Sequence, residues 1–452
     1  MPAFEQHRDH VEQMIAAALE AADPATAVLR NLRQDGQRLW VGKAPASWRY
    51  ELARGRIYVV AVGKAAVLMG RAALQVLQEH AAEAILIGKQ GEPGVGRRYR
   101  ATVSSQVPVT VFEAGHPVSD ETSIRATAAV LAMLEQTRPG DLLLCLISGG
   151  TSALLTQPVL TLAEWQQLTS VLLDSGCTIH ELNSVRKQLD RVKGGGLAWA
   201  AAPASVAGLI LSDVVGNRPD IIGSGPTAPD PESPATALTV LHRYNVAARL
   251  APETWKVITN YLTDRHNATS VARFGDLDVV NVIVGDVGTA VRAAAAEAEK
   301  LGYTAQPLTC HLQGEAREVG RVVAGLAIDA APGSCLLLGG ETTVTVRGEG
   351  RGGRNQELAL AAALALDGQE NVVVATFASD GEDGTTGAAG AIVTGETAAR
   401  ARALGLRPRI ALEENDSYGF FNALALAGEP DPLLRPGPTG TNVNDLVFIL
   451  RY

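Results

Sequence analysis

The segment RGEGRGGRNQE (347–357) alternates arginine with glycine directly ahead of an apolar, helix-like run. Glycine lets the backbone close on a ligand, and Arg354 brings a planar, permanently charged fork that matches phosphate or carboxylate oxygens. Other apolar runs end in polar or glycine-rich residues of similar character. They are VGK at 62–64 with Lys64, SGGTS at 148–152 with Ser148, Gly149, Gly150 and Ser152, SD at 212–213 with Asp213, GGE at 339–341 with Glu341, and SDGEDG at 379–384 with Asp380 and Asp383. One such exit is ordinary, but this many point to a shared ligand site.

Each segment has a chemical and a plainer reading. In SGGTSALL, glycines let N–H groups converge and a following helix start adds its dipole, which suits an anion. A tight turn with a serine or threonine cap needs the same letters. Asp380 and Asp383 are hard oxygen ligands suited to Mg²⁺, which takes one or two carboxylates and fills its shell with water and phosphate oxygens. They also suit an acidic turn. Asp213 and Glu341 fit a metal ligand or a base. Asn442 and Asn444 lie in GPTGTNVNDL before the last apolar run, where Asx turns are at home. In SVRKQLDRVKGGG, Arg186, Asp190 and Lys193 share one helical face, as an exposed ion-paired helix would place them. His116, in EAGHPVSDE, reads as structural. Lys64 belongs to no GxxxxGK[ST] loop, and no GxSxG elbow or histidine-rich zinc pattern occurs.

The elements that must position these residues are short Val/Ile/Leu runs separated by Ala-rich helical stretches. The runs fall at 56–62, 84–88, 141–148, 206–213, 279–285, 334–340, 342–348, 371–379 and 445–450. Continuous apolar strands with helical crossovers predict an α/β protein with largely parallel sheets. Ligands of such sheets bind beyond the carboxyl ends of the strands, where the polar segments lie. The short gap between 334–340 and 342–348 predicts an antiparallel hairpin. The chain has 452 residues, more than one core usually organises, and two domains, 1–258 and 259–452, are expected around the polar segment TDRHNATSVARFGDLD. The first residues read as an amphipathic helix with Val11, Met14, Ile15, Ala18 and Leu19 on one face, not as a signal peptide. A net charge of −9 speaks against a nucleic-acid surface, and no apolar run approaches a membrane span. Four cysteines without metal spacing fit a cytoplasmic protein.

Taken in order, VVAVGKAA, AGHPVSDE, LISGGTSALL, NSVRKQLDRVKGGGLA, GLILSDVVGN, IGSGPTAPDP, LLLGGETTVTVRGEGRGGRNQELALA, ASDGEDGTTGAAGA and GPTGTNVNDL resemble the class II glycerate 2-kinases, the glycerate kinases with a MOFRL domain. Some members of that family carry the label hydroxypyruvate reductase. The resemblance implies a Rossmann-like N-terminal domain, a MOFRL-type C-terminal domain, and a site in a cleft between them. It implies transfer of phosphoryl from ATP, with Mg²⁺, to D-glycerate, giving 2-phosphoglycerate and ADP. On that reading Lys64, Arg354 and Asp213 are catalytic. Ser148, Gly149, Gly150, Ser152, Glu341, Asn442 and Asn444 bind substrate or phosphate, and Asp380 and Asp383 hold the metal. It implies small-molecule partners only, with no nucleic acid or membrane, in a monomer or homodimer. Asn217 and Asp190 depart from the family pattern, which has an acidic residue and a serine there. An NAD(P)-dependent hydroxypyruvate reductase is the alternative, although GEGRGG (348–353) matches GxGxxG only by letters. A non-catalytic sugar-acid or nucleotide-binding module is the other.

Overall fold

The computed structural model describes residues 4–91, 107–264 and 274–452. Of the polar segment at 263–278, residues 265–273 lie outside them. The chain divides into two compact units. Unit 1 comprises Met1–Asp23, Asp213–Gly216 and Gly285–Tyr452, and unit 2 comprises Pro24–Ser212 and Asn217–Val284. The division differs from the expected 258/259 boundary in three ways, one of them the assignment of Asp213–Gly216 to the C-terminal unit. The first helix, α1 (Phe4–Ala21), belongs with the C-terminal unit, and the change of unit falls at 284/285. The physical reason is the apolar face of α1, where Val11, Met14, Ile15 and Ala18 are buried. Leu19 is only partly buried.

Unit 2 begins with α2 (Pro24–Asn31) and a small antiparallel sheet, β1 (Leu32–Asp35), β2 (Arg38–Val41) and β3 (Trp48–Glu51). Its main sheet holds β4 (Ile57–Val62), β5 (Ala81–Lys89), β6 (Val109–Ala114), β7 (Leu142–Ile147), β8 (Ser205–Leu211) and β9 (Val279–Gly285). The order across the sheet is β6-β5-β4-β7-β8-β9. Counted within the sheet this is 3-2-1-4-5-6, the doubly wound order, and the four pairings from β6 to β8 are parallel. Every residue of β4, β7 and β8 is buried, as strands covered on both faces require. Among the described residues the unit also has helices α3 (Ala66–Leu77), α4 (Glu121–Leu134), α5 (Thr151–Leu154), α6 (Leu162–Asp174), α7 (Ile179–Gln188), α8 (Gly196–Ala201), α9 (Pro234–Arg243) and α10 (Pro252–Asp264). Capping boxes start α4, α6, α7 and α9, from Asp120, Thr161, Thr178 and Ser233. Each cap contributes about 1 kcal/mol by satisfying N–H groups the helix leaves open. A separate apolar cluster around Trp165, Leu172, Leu241 and Ile258 joins α6, α7, α9 and α10.

In unit 1, α11 (Val287–Lys300) leads to β10 (Thr304–Leu312), α12 (Ala316–Asp329), β11 (Ser334–Gly340) and α13 (Arg354–Ala365). Then come β12 (Val372–Ala378), β13 (Gly390–Thr394), α14 (Thr397–Ala403), α15 (Pro408–Glu413), α16 (Ser417–Leu426), β14 (Leu433–Leu434) and β15 (Asp445–Arg451). The sheet order is β10-β11-β15-β12-β13-β14. Only β10 and β11 pair in parallel. The last strand inserts antiparallel between β11 and β12, setting Asp445 opposite both Gly340 and Ala378. The expected hairpin is therefore absent. Residues 342–348 are an irregular loop with one isolated bridge, Glu315 to Thr343, and the antiparallel partner of β11 is β15 from the far end of the sequence. Among the described residues no helix is long and apolar enough to cross a membrane. All four cysteines are free.

Candidate active site

Unit 2 brings its polar segments together at the carboxyl end of its sheet. The chain runs from β4 to β5 on one side and later returns to β7 on the other, so the topology switches between β4 and β7. Crevices at such switch points are where open α/β sheets take ligands. The loops leaving β4 and β7 are bonded to each other. Lys64 N–H donates to Gly149 O at 2.8 Å, Ala65 N–H to Ser148 Oγ at 3.0 Å, and Thr151 Oγ1 to Val62 O at 3.0 Å. A Cβ on Gly63 would stand 2.1 Å from Ser148 Oγ, so only glycine lets the two loops meet.

The expected substrate role of Ser148 is corrected by this geometry. Its hydroxyl is buried and committed to the lysine loop, so it fastens Lys64 in place. Ser152 Oγ is bonded to Ser224 Oγ at 2.8 Å, which makes it a link to the 216–234 loop. Gly149 and Gly150 remain as backbone, with Gly150 left-handed at φ 89°. The α5 segment that follows is a single turn of four residues, too short for the helix dipole expected there.

Of the two readings of 186–193, the exposed ion-paired helix is not what forms. Lys187, Asp190 and Lys193 are buried. Lys187 Nζ pairs with Asp230 at 2.6 Å, and Lys193 Nζ pairs with Asp190 at 3.3 Å and donates to Leu155 O at 2.7 Å. Burial pulls the Lys193 ammonium down to about 8, with Asp190 opposing. Asp190 also accepts from Thr156 Oγ1 at 2.6 Å, so the aspartate at this unusual position is the counter-charge of a buried lysine.

Unit 1 builds a second cluster where β11 and β12 end and β15 begins. Arg354 opens α13, and its Nε and Nη2 lie 2.5 and 2.9 Å from the two Asp445 oxygens, a bidentate pair. Its Nη1 is 3.6 Å from Glu341. Burial weakens the guanidinium's hold on its proton, but Asp445, Glu341 and Asp383 outweigh that and raise it above its usual range. Asn444, left-handed at φ 68°, donates through Nδ2 to Asp213 O at 2.7 Å and to Glu341 Oε2 at 3.0 Å. One amide thereby ties the ends of three chain segments. Asn442 caps the turn by accepting Asn444 N–H at 3.2 Å, so its Oδ1 serves the backbone.

The two aspartates expected to hold metal part company here. Asp383 is fully buried and accepts Asn355 N–H at 3.1 Å, Gln356 N–H at 2.9 Å and Gln356 Nε2 at 2.9 Å. Its carboxylate caps the open N–H groups of α13, and the expectation of a metal ligand at 383 is corrected. Burial, opposed by these hydrogen bonds, pushes the carboxyl up to about 6. Asp380 is half-buried and accepts Glu382 N–H at 3.2 Å. No group of three or more His, Cys, Asp or Glu side chains gathers to hold a metal among the described residues. One carboxylate such as Asp380 still fits Mg²⁺ when nucleotide oxygens and water fill the shell.

The glycines around Arg354 have a different purpose from the expected one. A Cβ on Gly353 would stand 2.4 Å from Asp383 Oδ1, and one on Gly350 would stand 2.4 Å from Asp416 Cβ. The loop is pressed onto the α15–α16 connection, where Asn415 Oδ1 accepts Arg347 N–H at 2.7 Å and Asp416 Oδ1 accepts Arg351 N–H at 3.0 Å. Asn415 is itself fixed to Glu357, the buried partner of Arg317. These glycines admit protein backbone. Asp445 was visible in the sequence only as the start of an apolar run, and no local signal marks it as the partner of an arginine 91 positions away.

A doubly wound sheet with a lysine at its switch point, together with a MOFRL-like unit that fixes an arginine among carboxylates, defines a two-domain α/β protein suited to small anionic ligands. Residues 10–259 match a domain of unknown function (DUF4147), and residues 334–445 match the MOFRL family. The D-glycerate 2-kinase of Thermotoga maritima is 41% identical over 87% of this chain and 90% of its own length. A protein of Agrobacterium vitis, provisionally named a hydroxypyruvate reductase, is 37% identical over 98% of this chain and 94% of its own. The crystal structure of the T. maritima glycerate kinase superposes with a TM-score of 0.82 at 37% identity, covering 99% of this chain and 100% of that one. The chain belongs to the class II glycerate kinase family.

Proposed function

We propose that this protein is a glycerate 2-kinase, which transfers the γ-phosphoryl group of ATP to the 2-hydroxyl of D-glycerate. Beyond family membership, the observation that carries this reading is the cluster where β11 and β12 end and β15 begins. There a fixed arginine stands among carboxylates, one of them held by the Asn444 amide. Phosphoryl transfer asks for positioning and positive charge around the transferred group, with a carboxylate to orient the attacking hydroxyl. Arg354 and Lys64 are the cations in this proposal, and Asp213 or Glu341 takes the proton as the hydroxyl oxygen bonds to phosphorus. The bond between the γ-phosphorus and the β–γ bridging oxygen breaks, and ADP leaves with that oxygen. Asp380 is the residue that would hold Mg²⁺, whose charge offsets that of the phosphate oxygens when it is bound. The backbone of Gly149 and Gly150 is offered to anionic oxygens. Asn444 acts by positioning Glu341 and the backbone of Asp213.

The reductase reading has less support. A dinucleotide fingerprint turns straight from strand to helix and leaves its glycines open to pyrophosphate. In GEGRGG the glycines are filled by the chain at 414–417 and by Asp383. Incubation with Mg-ATP and D-glycerate, read by phosphorus NMR, tests the proposal. 2-Phosphoglycerate is the expected product; 3-phosphoglycerate would overturn the position of transfer, and no phosphorylated product would overturn the kinase.

A further inference from the structure

The mechanism above leaves His116 without a task. It lies two residues beyond β6, is half-buried, and its ring stands against Gly150 in the loop leaving β7. A Cβ placed on Gly150 would lie 3.1 Å from His116 Cδ2, 3.3 Å from His116 Nε2 and 3.5 Å from Lys64 Cγ. The imidazole and the lysine stem therefore share one face of the left-handed Gly150. Three strand exits converge there, from β4, β6 and β7, and β5 ends nearby in Lys89.

The charged groups that act on His116 are Lys64 and Lys89. Burial and these two cations hold the imidazole down to about 4, so it is neutral at physiological pH. A neutral imidazole between lysines is a poor general base, since an efficient base has its pKa near the operating pH. It does keep one N–H to donate. A small carboxylate meeting Lys64, the backbone of Gly149 and Gly150, and this N–H would receive charge and a directed hydrogen bond together. A third lysine would supply charge without that direction.

We infer that His116 is a specificity-determining residue, donating an imidazole N–H to the carboxylate of the acceptor beside Lys64 and Gly150. The inference rests on the glycerate kinase reading and assigns the acid end of the acceptor to unit 2. The carboxylate distinguishes glycerate from glycerol and other uncharged polyols. His116 therefore governs which three-carbon alcohol is used and contributes little to the chemical step.

The test uses the full chain labelled with ¹³C and ¹⁵N at histidine, with the His116 signal assigned by its loss in His116→Gln. Saturating D-glycerate shifts the His116 resonance, and Mg-ATP alone leaves it in place. In steady-state assays His116→Ala raises KM for D-glycerate about 10-fold to 100-fold, the worth of a hydrogen bond to a charged group. Its KM for ATP stays within about twofold, and His116→Gln, which keeps a donor, recovers part of the loss. The inference is overturned by a resonance that ignores D-glycerate, by one that moves with Mg-ATP alone, or by an alanine variant whose glycerate KM matches wild type. The resonance titration uses wild-type protein, so it decides the matter even where the alanine variant fails to fold. Should wild type form no phosphorylated product, the kinase reading fails, while the same titration still decides whether His116 meets a carboxylate.

Discussion

The pair formed by Arg354 and Asp445 sets the terms at the scale of single residues. Two of the arginine's nitrogens are spent on Asp445, so the side chain is aimed before any ligand arrives. Preorganised charge is worth more in catalysis than charge that must reorient. Arg354→Ala or Lys64→Ala is expected to lower kcat about a thousandfold, the low end for a transition-state cation in phosphoryl transfer, with the fold intact by circular dichroism. Near wild-type kcat in either variant would remove that residue from the mechanism. Asp445→Asn keeps the shape but removes a buried counter-charge, which costs about 3 kcal/mol in urea unfolding and lowers kcat through a loosened Arg354. Unchanged kcat in that variant would show that Arg354 needs no such guide. Asp383 supplies a pH test. Its carboxyl titrates near 3.8 when unfolded and near about 6 when folded. Between those values the folded state holds the extra proton, so this stabilisation is complete below about 3.8 and is lost as pH rises through about 6. Wild type should lose up to about 1.4 kcal/mol per pH unit from this group between pH 5 and 6. Asp383→Asn should flatten that slope in urea unfolding, and an unchanged slope would mean the carboxyl is not shifted.

Among elements, strands buried on both faces were legible because covered strands read as unbroken apolar runs. This holds for β4, β7, β8, β11, β12 and β15. Edge strands were legible unevenly: the run at 279–285 is the edge strand β9, while the edge strands β6 and β10 gave no such run. β10 carries Pro307 and shows no buried residue, which erases its pattern. TTVTVRG misled in the opposite direction, since its Thr/Val alternation fits a strand. Its backbone is instead claimed by Gly314, Glu315 and Asn415. The polar strand exits stood out in the sequence because each ends an apolar run in glycine, hydroxyl or charged residues. The division of labour within them was not legible, because it depends on partners far along the chain. Asp383 and Asp380 look alike in SDGEDG, yet only contact with the start of α13 makes Asp383 a helix cap. That contact gives a prediction for the loop as an element. Gly353→Ala would put a methyl group 2.4 Å from Asp383 Oδ1 and lift the carboxylate off two helix N–H groups. The expected result is a loss of about 2 kcal/mol or more in urea unfolding, together with at least a tenfold fall in kcat. An alanine variant as stable as wild type would mean that the loop has slack the packing does not suggest.

For the whole molecule, the decisive feature is that unit 1 is assembled from both ends of the chain. The α1 helix is followed by nearly all of unit 2 before α11 and the rest of unit 1 appear. Such long separations are tolerable because loop-closure cost rises only by about 0.6 kcal/mol for each doubling of length. What holds α1 in place is its buried stripe and a few directed contacts. Met14 Sδ lies 3.8 Å from Cys335 Sγ in β11, His10 Nδ1 is 2.6 Å from Tyr303 Oη, and Arg8 Nη1 donates to Asp431 O at 2.6 Å. Val11 is wholly buried on this stripe, so Val11→Asp must bury an unpaired carboxylate or detach the helix. A loss of about 3 kcal/mol or more is expected, and it should fall on unit 1, the unit to which α1 belongs. Hydrogen exchange read by peptide would show protection lost across 285–452 and kept across the strands at 57–62, 142–147 and 205–211. Kinase activity would fall with unit 1, because Arg354 and Asp445 depend on that sheet. Uniform loss of protection in both units would mean that they fold as one cooperative body, and α1 would then be a general stabiliser and not the closing element of the C-terminal unit.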